Sequence, residues 1–207
     1  MSSSERHARI GLAAVAFVFL LAMGILSSKA IDRHVEHANA APDFSLPDLD
    51  GKTVSLTDIR NKTAVLVFWS ARGPVSNEYS QRIIRLASNY ANDSRVAFLA
   101  IDATVSTVEP SVIDGLRVFK NVIGQTFPML IDPGAKVAER FDVQVTPTVL
   151  VIDPRGQIRY RGAFDDNQNE KLASKHYCAD ALTSLLAERP VATTFTQAFG
   201  RPIRQPR

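Results

Sequence analysis

Ala64-Val-Leu-Val-Phe-Trp-Ser-Ala-Arg-Gly-Pro-Val-Ser76 is the stretch on which the fold turns. Ala64–Trp69 is an unbroken apolar run, long enough for a strand and too short for a helix of ordinary length. Such a run suits a sheet covered on both faces. Ser70–Gly73 interrupts it, Pro74 is tolerated in a first helical turn, and Tyr79, Ile83, Leu86 and Tyr90 then recur at helical spacing. The spacing predicts a helix over 76–92. A buried strand that passes through a short loop into an amphipathic helix is the repeating unit of α/β domains.

The same alternation continues outward from this unit. Val96–Ile101 and Thr148–Ile152 are further buried strands, and Gln157–Arg161 reads as an edge strand after the turn Asp153-Pro-Arg-Gly156. Helical spacing predicts helices over 110–123, 136–141 and 172–188. Before the first core strand, Phe44–Thr57 reads as a hairpin around Asp50-Gly51. No internal repeat or low-complexity segment is present.

The 207 residues carry 24 Lys and Arg against 21 Asp and Glu, with 45 % hydrophobic residues and one cysteine. This composition excludes disorder and a disulfide scaffold, and a lone cysteine forms neither a two-cysteine redox pair nor an unaided thiolate zinc site. The net charge of +3 divides as +1 over 1–40, −1 over 41–189 and +3 over 190–207. Basicity therefore belongs to the tail. A nucleic-acid-binding face is not expected, because its electrostatic footprint normally covers one side of a fold.

Ile10–Leu26 is free of charge and follows Arg6 and Arg9. It predicts an export signal, read as an uncleaved anchor over 10–28 with residues 1–9 cytoplasmic and the remainder extracytoplasmic, periplasmic in a double-membraned organism. Cleavage is the other reading, since Ala38-Asn39-Ala40 fits a processing site, although late. The linker 29–40 holds His34, Glu36 and His37, an incomplete ligand set for a metal.

Several words of the sequence resemble the thioredoxin-like superfamily, and within it the redoxin branch of alkyl hydroperoxide reductase/thiol-specific antioxidant and membrane-anchored thiol–disulfide proteins. They are Ala41-Pro-Asp-Phe-Ser-Leu-Pro-Asp-Leu-Asp-Gly51, Val65-Leu-Val-Phe-Trp-Ser70, Phe127-Pro-Met-Leu-Ile-Asp132, Val145-Thr-Pro-Thr148 and Asp153-Pro-Arg-Gly156. Tyr160–Asp166, followed by a helix and a basic tail, looks like one extended subgroup. The resemblance implies an α/β fold with a central mixed sheet flanked by helices over 41–189, followed by the tail 190–207. It also implies a Cys-x-x-Cys motif at a helix amino terminus, where the helix dipole lowers a thiol pKa. The matching positions hold Gly73-Pro74-Val75-Ser76.

Other positions that the resemblance makes informative depart in the same direction. Val67 stands where a buried acid often handles protons for the second cysteine, and Arg201 follows Gly200 where the extended subgroup carries another cysteine. Thr146-Pro147 matches the family's cis-proline. Ser76 has a hydroxyl, but the domain's only histidine is the distant His176, so a first-turn helix role is the simpler one. Cys178, Leu182 and Leu185 share a helix face, which points the sulfur at the core. An exposed Cys178 beside Lys175 and His176 would instead be a nucleophile of lowered pKa. Asp165-Asp166-Asn167 reads as a turn or a helix cap rather than a pair of catalytic carboxylates.

The expectation is a tethered, non-catalytic thioredoxin-like domain that takes a protein or peptide partner in a groove bounded by Arg72–Ser76 and Val145–Pro147. Its contact residues would be Trp69, Arg72, Pro74, Thr146 and Pro147. No cofactor and no metal is implied. One alternative is a peroxiredoxin-like antioxidant or thiol oxidoreductase using Cys178, and another is a structural subunit of an envelope redox complex.

Overall fold

The structure, a computed structural model, describes residues 39–203. The expected cytoplasmic terminus, the anchor over 10–28 and the linker up to residue 38, with its two histidines, lie outside the described residues. Among the described residues no helix is long and apolar enough to cross a membrane.

The strands are β1 (Ser45–Pro47), β2 (Thr53–Ser55), β3 (Thr63–Trp69), β4 (Val96–Asp102), β5 (Met129–Ile131), β6 (Val145–Thr146), β7 (Thr148–Ile152), β8 (Ile158–Gly162) and β9 (Arg201–Pro202). The helices are α1 (Pro74–Asn89), α2 (Pro110–Ile123), α3 (Lys136–Arg140) and α4 (Tyr177–Leu186). Five strands form one mixed sheet in the order β5-β4-β3-β7-β8. β4 runs parallel to both β3 and β5, whereas β7 is antiparallel to β3 and β8. This is the thioredoxin-like α/β arrangement.

Every residue of β3 is buried, as expected of a strand with a neighbour on each edge and a layer on each face. Alternation along the strand sends Val65, Val67 and Trp69 to one face, where they pack with Tyr79 and Ile83 of α1 and with Leu182 of α4. Ala64, Leu66 and Phe68 meet Phe44, Val137 and Phe141 on the other. There Phe141 has its ring 6.2 Å from Phe44 and 5.7 Å from Phe68. The β1–β2 hairpin closes as expected, with Asp48 accepting hydrogen bonds from the backbone N–H of Asp50 and Lys52 at 2.9 Å each.

Several elements differ from the sequence expectation. α1 begins at Pro74, with Gly73 as its N-cap, and stops at Asn89 rather than 92. The helix expected over 172–188 is a short 3-10 turn at Glu170–Leu172 and then α4 from Tyr177. Asp166 supplies the reason for that break: its carboxylate accepts from the N–H and hydroxyl of Ser174, and its own N–H donates to the Lys175 carbonyl, leaving 173–176 unavailable to a helix. The hydrogen bonds from Ser174 and Lys175 hold the Asp166 carboxyl down at about 2. Finally, β5, β6 and β9 have only two or three residues each, too few for a pattern.

Phe141→Ala should lower the unfolding free energy by about 3–5 kcal/mol, the usual cost of emptying a fully packed aromatic site. Urea denaturation checks this through a lower midpoint at unchanged slope.

Candidate functional site

Trp69 ends β3, and the chain turns through Ser70–Gly73 into α1. Asp102, the last residue of β4, pins this turn. One carboxylate oxygen accepts from the Ala71 N–H at 3.0 Å, and the other accepts from the N–H and hydroxyl of Thr104 at 2.9 and 2.7 Å. The Ser70 and Thr104 hydroxyls are hydrogen-bonded at 3.0 Å. An acid at the end of an apolar strand was the available sequence signal for Asp102.

Gly73 and Ser76 lie where the resemblance expects the two thiols, at the amino end of α1. Ser76 is wholly buried, and its Oγ accepts from the Ser70 N–H at 3.2 Å. The hydroxyl thus serves the turn. Gly73 is close-packed as well: a Cβ there would sit 3.0 Å from the Ser70 Cβ and 3.1 Å from its Oγ.

The expected contact residues separate by burial. Arg72 and Pro74 are exposed. Trp69 is not a contact: it is completely buried, because its place on β3 turns the indole into the core beneath α1. Thr146 and Pro147 are also buried, and the Thr146–Pro147 bond is cis.

What covers Thr146 and Pro147 is the chain's own tail. β9 pairs antiparallel with β6 in the register Val145↔Pro202 and Thr146↔Arg201, and the Ile203 N–H donates to the Gln144 carbonyl at 2.8 Å. Of the tail 190–207, expected as a basic appendage, the described residues 190–203 form a strap laid over the groove. Upstream, Phe199 lies against Tyr79 of α1, with ring centroids 6.1 Å apart, and Tyr79 in turn meets Phe164 at 6.2 Å. Thr196 accepts from the Ala163 N–H at 3.0 Å and is hydrogen-bonded to the Tyr160 hydroxyl at 2.7 Å.

Cys178 is fully buried among core residues of α4 and β3, and burial pushes its thiol well above the ordinary range. The exposed, His-assisted nucleophile considered from sequence has no counterpart in this geometry. Asp165 is not a simple turn residue, since its buried carboxylate pairs at 2.5 Å with Arg82, whose guanidinium lies 3.9 Å over the Tyr79 ring. Sequence spacing missed this pair because its members are 83 residues apart.

The AhpC/TSA family pattern matches residues 38–161. The chain belongs to the AhpC/TSA family. Among curated relatives, the thioredoxin-like protein YneN of Bacillus subtilis (strain 168) is 29 % identical over 125 residues, covering 60 % of this chain and 70 % of its own length. The thiol-disulfide oxidoreductase ResA of Bacillus thuringiensis (strain Al Hakam) is 27 % identical over 140 residues, 68 % of this chain and 75 % of ResA. A solved structure, the hypothetical protein SMc02350 from Sinorhizobium meliloti 1021, superposes with a TM-score of 0.73 at 25 % identity, covering 81 % of this chain and 93 % of that one. The chain thus stands in a thioredoxin-like redox family with a single cysteine of its own, Cys178.

Native protein should leave Cys178 unlabelled by maleimide and unoxidised by dilute peroxide until denaturant is added, with intact mass as the readout.

Proposed function

We propose that this member of the family is a non-catalytic, extracytoplasmic protein, tethered through Ile10–Leu26, whose redox motif has degenerated to Gly73-Pro74-Val75-Ser76. Its role is to hold a protein or peptide partner as an extended segment against Gln144–Thr146. The pairing of β6 with β9 fills the groove with the chain's own tail, which counts against a freely open partner site; what supports the reading is that the backbone edge beside Pro147 accepts an extended segment with no thiol taking part. Recognition of this kind draws its affinity from main-chain hydrogen bonds and needs no nucleophile.

The catalytic alternative finds little to work with. Thiol–disulfide exchange requires a thiolate that attacks one sulfur of a disulfide while the other leaves, and Cys178 is both inaccessible and held protonated by burial. Ser76 spends its oxygen on the Ser70 N–H. Arg72 and Pro74, exposed at the start of α1, are the side chains a bound partner would meet.

The test is insulin reduction by dithiothreitol, followed by turbidity. Wild-type protein should leave the uncatalysed rate unchanged. Gly73→Cys with Ser76→Cys should form a disulfide within α1's first turn and accelerate the reaction, after Ser70 gives way by a few tenths of an ångström. Acceleration by the wild type would overturn the reading.

A further inference from the structure

The strap formed by the tail is built into the surface it covers, as two glycines show. Gly162, at the end of β8, has a φ of +149°, and a Cβ added there would lie 2.2 Å from the Thr196 Oγ1 and 2.4 Å from the Thr196 carbonyl oxygen. Gly200, on the strap itself, rests on the Thr146–Pro147 peptide: its Cβ would come within 2.1 Å of the Thr146 carbonyl oxygen and 3.1 Å of the Pro147 nitrogen. Neither approach leaves room for a side chain, because the atom met in each case includes backbone that has nowhere to move. One glycine belongs to the body and the other to the strap, so both partners of the contact are shaped for it.

The strap also changes faces of the sheet. Thr194 and Thr196 bond with the backbone of Arg161 in β8, through Arg161 N–H to the Thr194 carbonyl and Thr196 N–H to the Arg161 carbonyl, each at 3.0 Å. Phe199 then rests against Tyr79 on the α1 face, and after Gly200 crosses the cis-proline peptide, Ile203 packs against the core cluster of the opposite face. Phe199 remains about one-third exposed, at 36 %.

We propose that residues 199–203 are a tethered ligand of the groove, and that the groove selects an extended segment of the form aromatic-Gly-x-x-aliphatic. The aromatic residue takes the position against Tyr79, and glycine is required beside Thr146. The next three residues follow the β6 edge as far as the Gln144 carbonyl. A partner with such a segment enters only by displacing the strap, which makes the resident tail a competitor. This inference rests on the partner-binding reading above and names the chemistry of what that site takes.

The probe is a fluorescein-labelled peptide of residues 197–207, followed by anisotropy. A chain ending at Ala198 keeps Thr194 and Thr196 on β8 and loses the ligand segment, so it should bind the peptide saturably, whereas the full chain should not. A peptide with Gly200→Ala should bind the truncated chain about tenfold more weakly or worse, the scale expected of a side chain forced against fixed backbone. The full chain carrying Gly200→Ala gives a second route: with its own strap dislodged, it should bind the wild-type peptide. Circular dichroism establishes that each variant is folded. Absence of peptide binding by both folded variants would overturn the tethered-ligand assignment, as would equal binding by the unaltered full chain. Neither result touches the insulin assay, which tests the non-catalytic reading by itself.

Discussion

Burial of β3 on both faces and both edges is the constraint on which the structure depends. Its seven residues lie between β4 and β7, so the strand has no free backbone edge, and its side chains must be apolar towards each layer. That placement also decides where the chain next surfaces. Trp69 is still in the core, and Ser70–Gly73 must turn within a few residues into α1, whose Tyr79 and Ile83 return to the same apolar face as Val65 and Val67. The loop before α1 is therefore fixed from below by packing and from the side by Asp102, whose carboxylate holds Ala71 and Thr104 together. The resemblance implies a thiol on this turn. Here the rigid turn remains, and Ser76 contributes a hydrogen-bond acceptor that helps to close it.

Burial accounts for which side chains at this end of the sheet remain open to a partner. Trp69 invites assignment as an interface anchor because aromatic side chains often act so, but both faces of a central strand are covered, and parity only selects which core layer the side chain enters. Its parity is that of Val65 and Val67. The indole therefore faces the core, while Arg72 in the turn and Pro74 at the start of α1 are exposed. The groove itself is largely backbone, the edge Gln144–Thr146 and the Thr146–Pro147 peptide, and the chain's own β9 covers both.

The α/β pattern was legible wherever an element was long enough to repeat. Val65–Trp69 and Val96–Ile101 are continuous apolar runs, and α2 begins at Pro110 and ends at Ile123 as its spacing predicts. Where local side chains compete with the backbone, periodicity misleads, as with the Asp166–Ser174 bonds that shorten the last helix. Contacts between distant segments leave no period at all. The Arg82–Asp165 pair and the β6–β9 pairing are of this kind, and the second changes the reading of the groove from an open surface to a covered one. Its trace in the sequence is confined to Gly162 and Gly200, and a glycine near a strand end or in a tail has many causes until its neighbours are known.

The covered groove and the missing thiols bear on one another. The resemblance expects cysteine at 73, at 76 and after Gly200, and the strap brings this last position, Arg201, into register with Thr146 beside the cis-proline. In this chain that position carries a guanidinium, so the close path of the strap, with backbone against backbone at Gly200, does not serve sulfur chemistry. Two explanations are available on physical grounds: closing the β6 edge, since an unpaired edge invites adventitious pairing, or controlling access to it. Edge closure alone requires hydrogen bonds and is indifferent to sequence. The lodging of Phe199 against Tyr79 and the shaped contact at Gly162 are sequence-specific, and they favour controlled access.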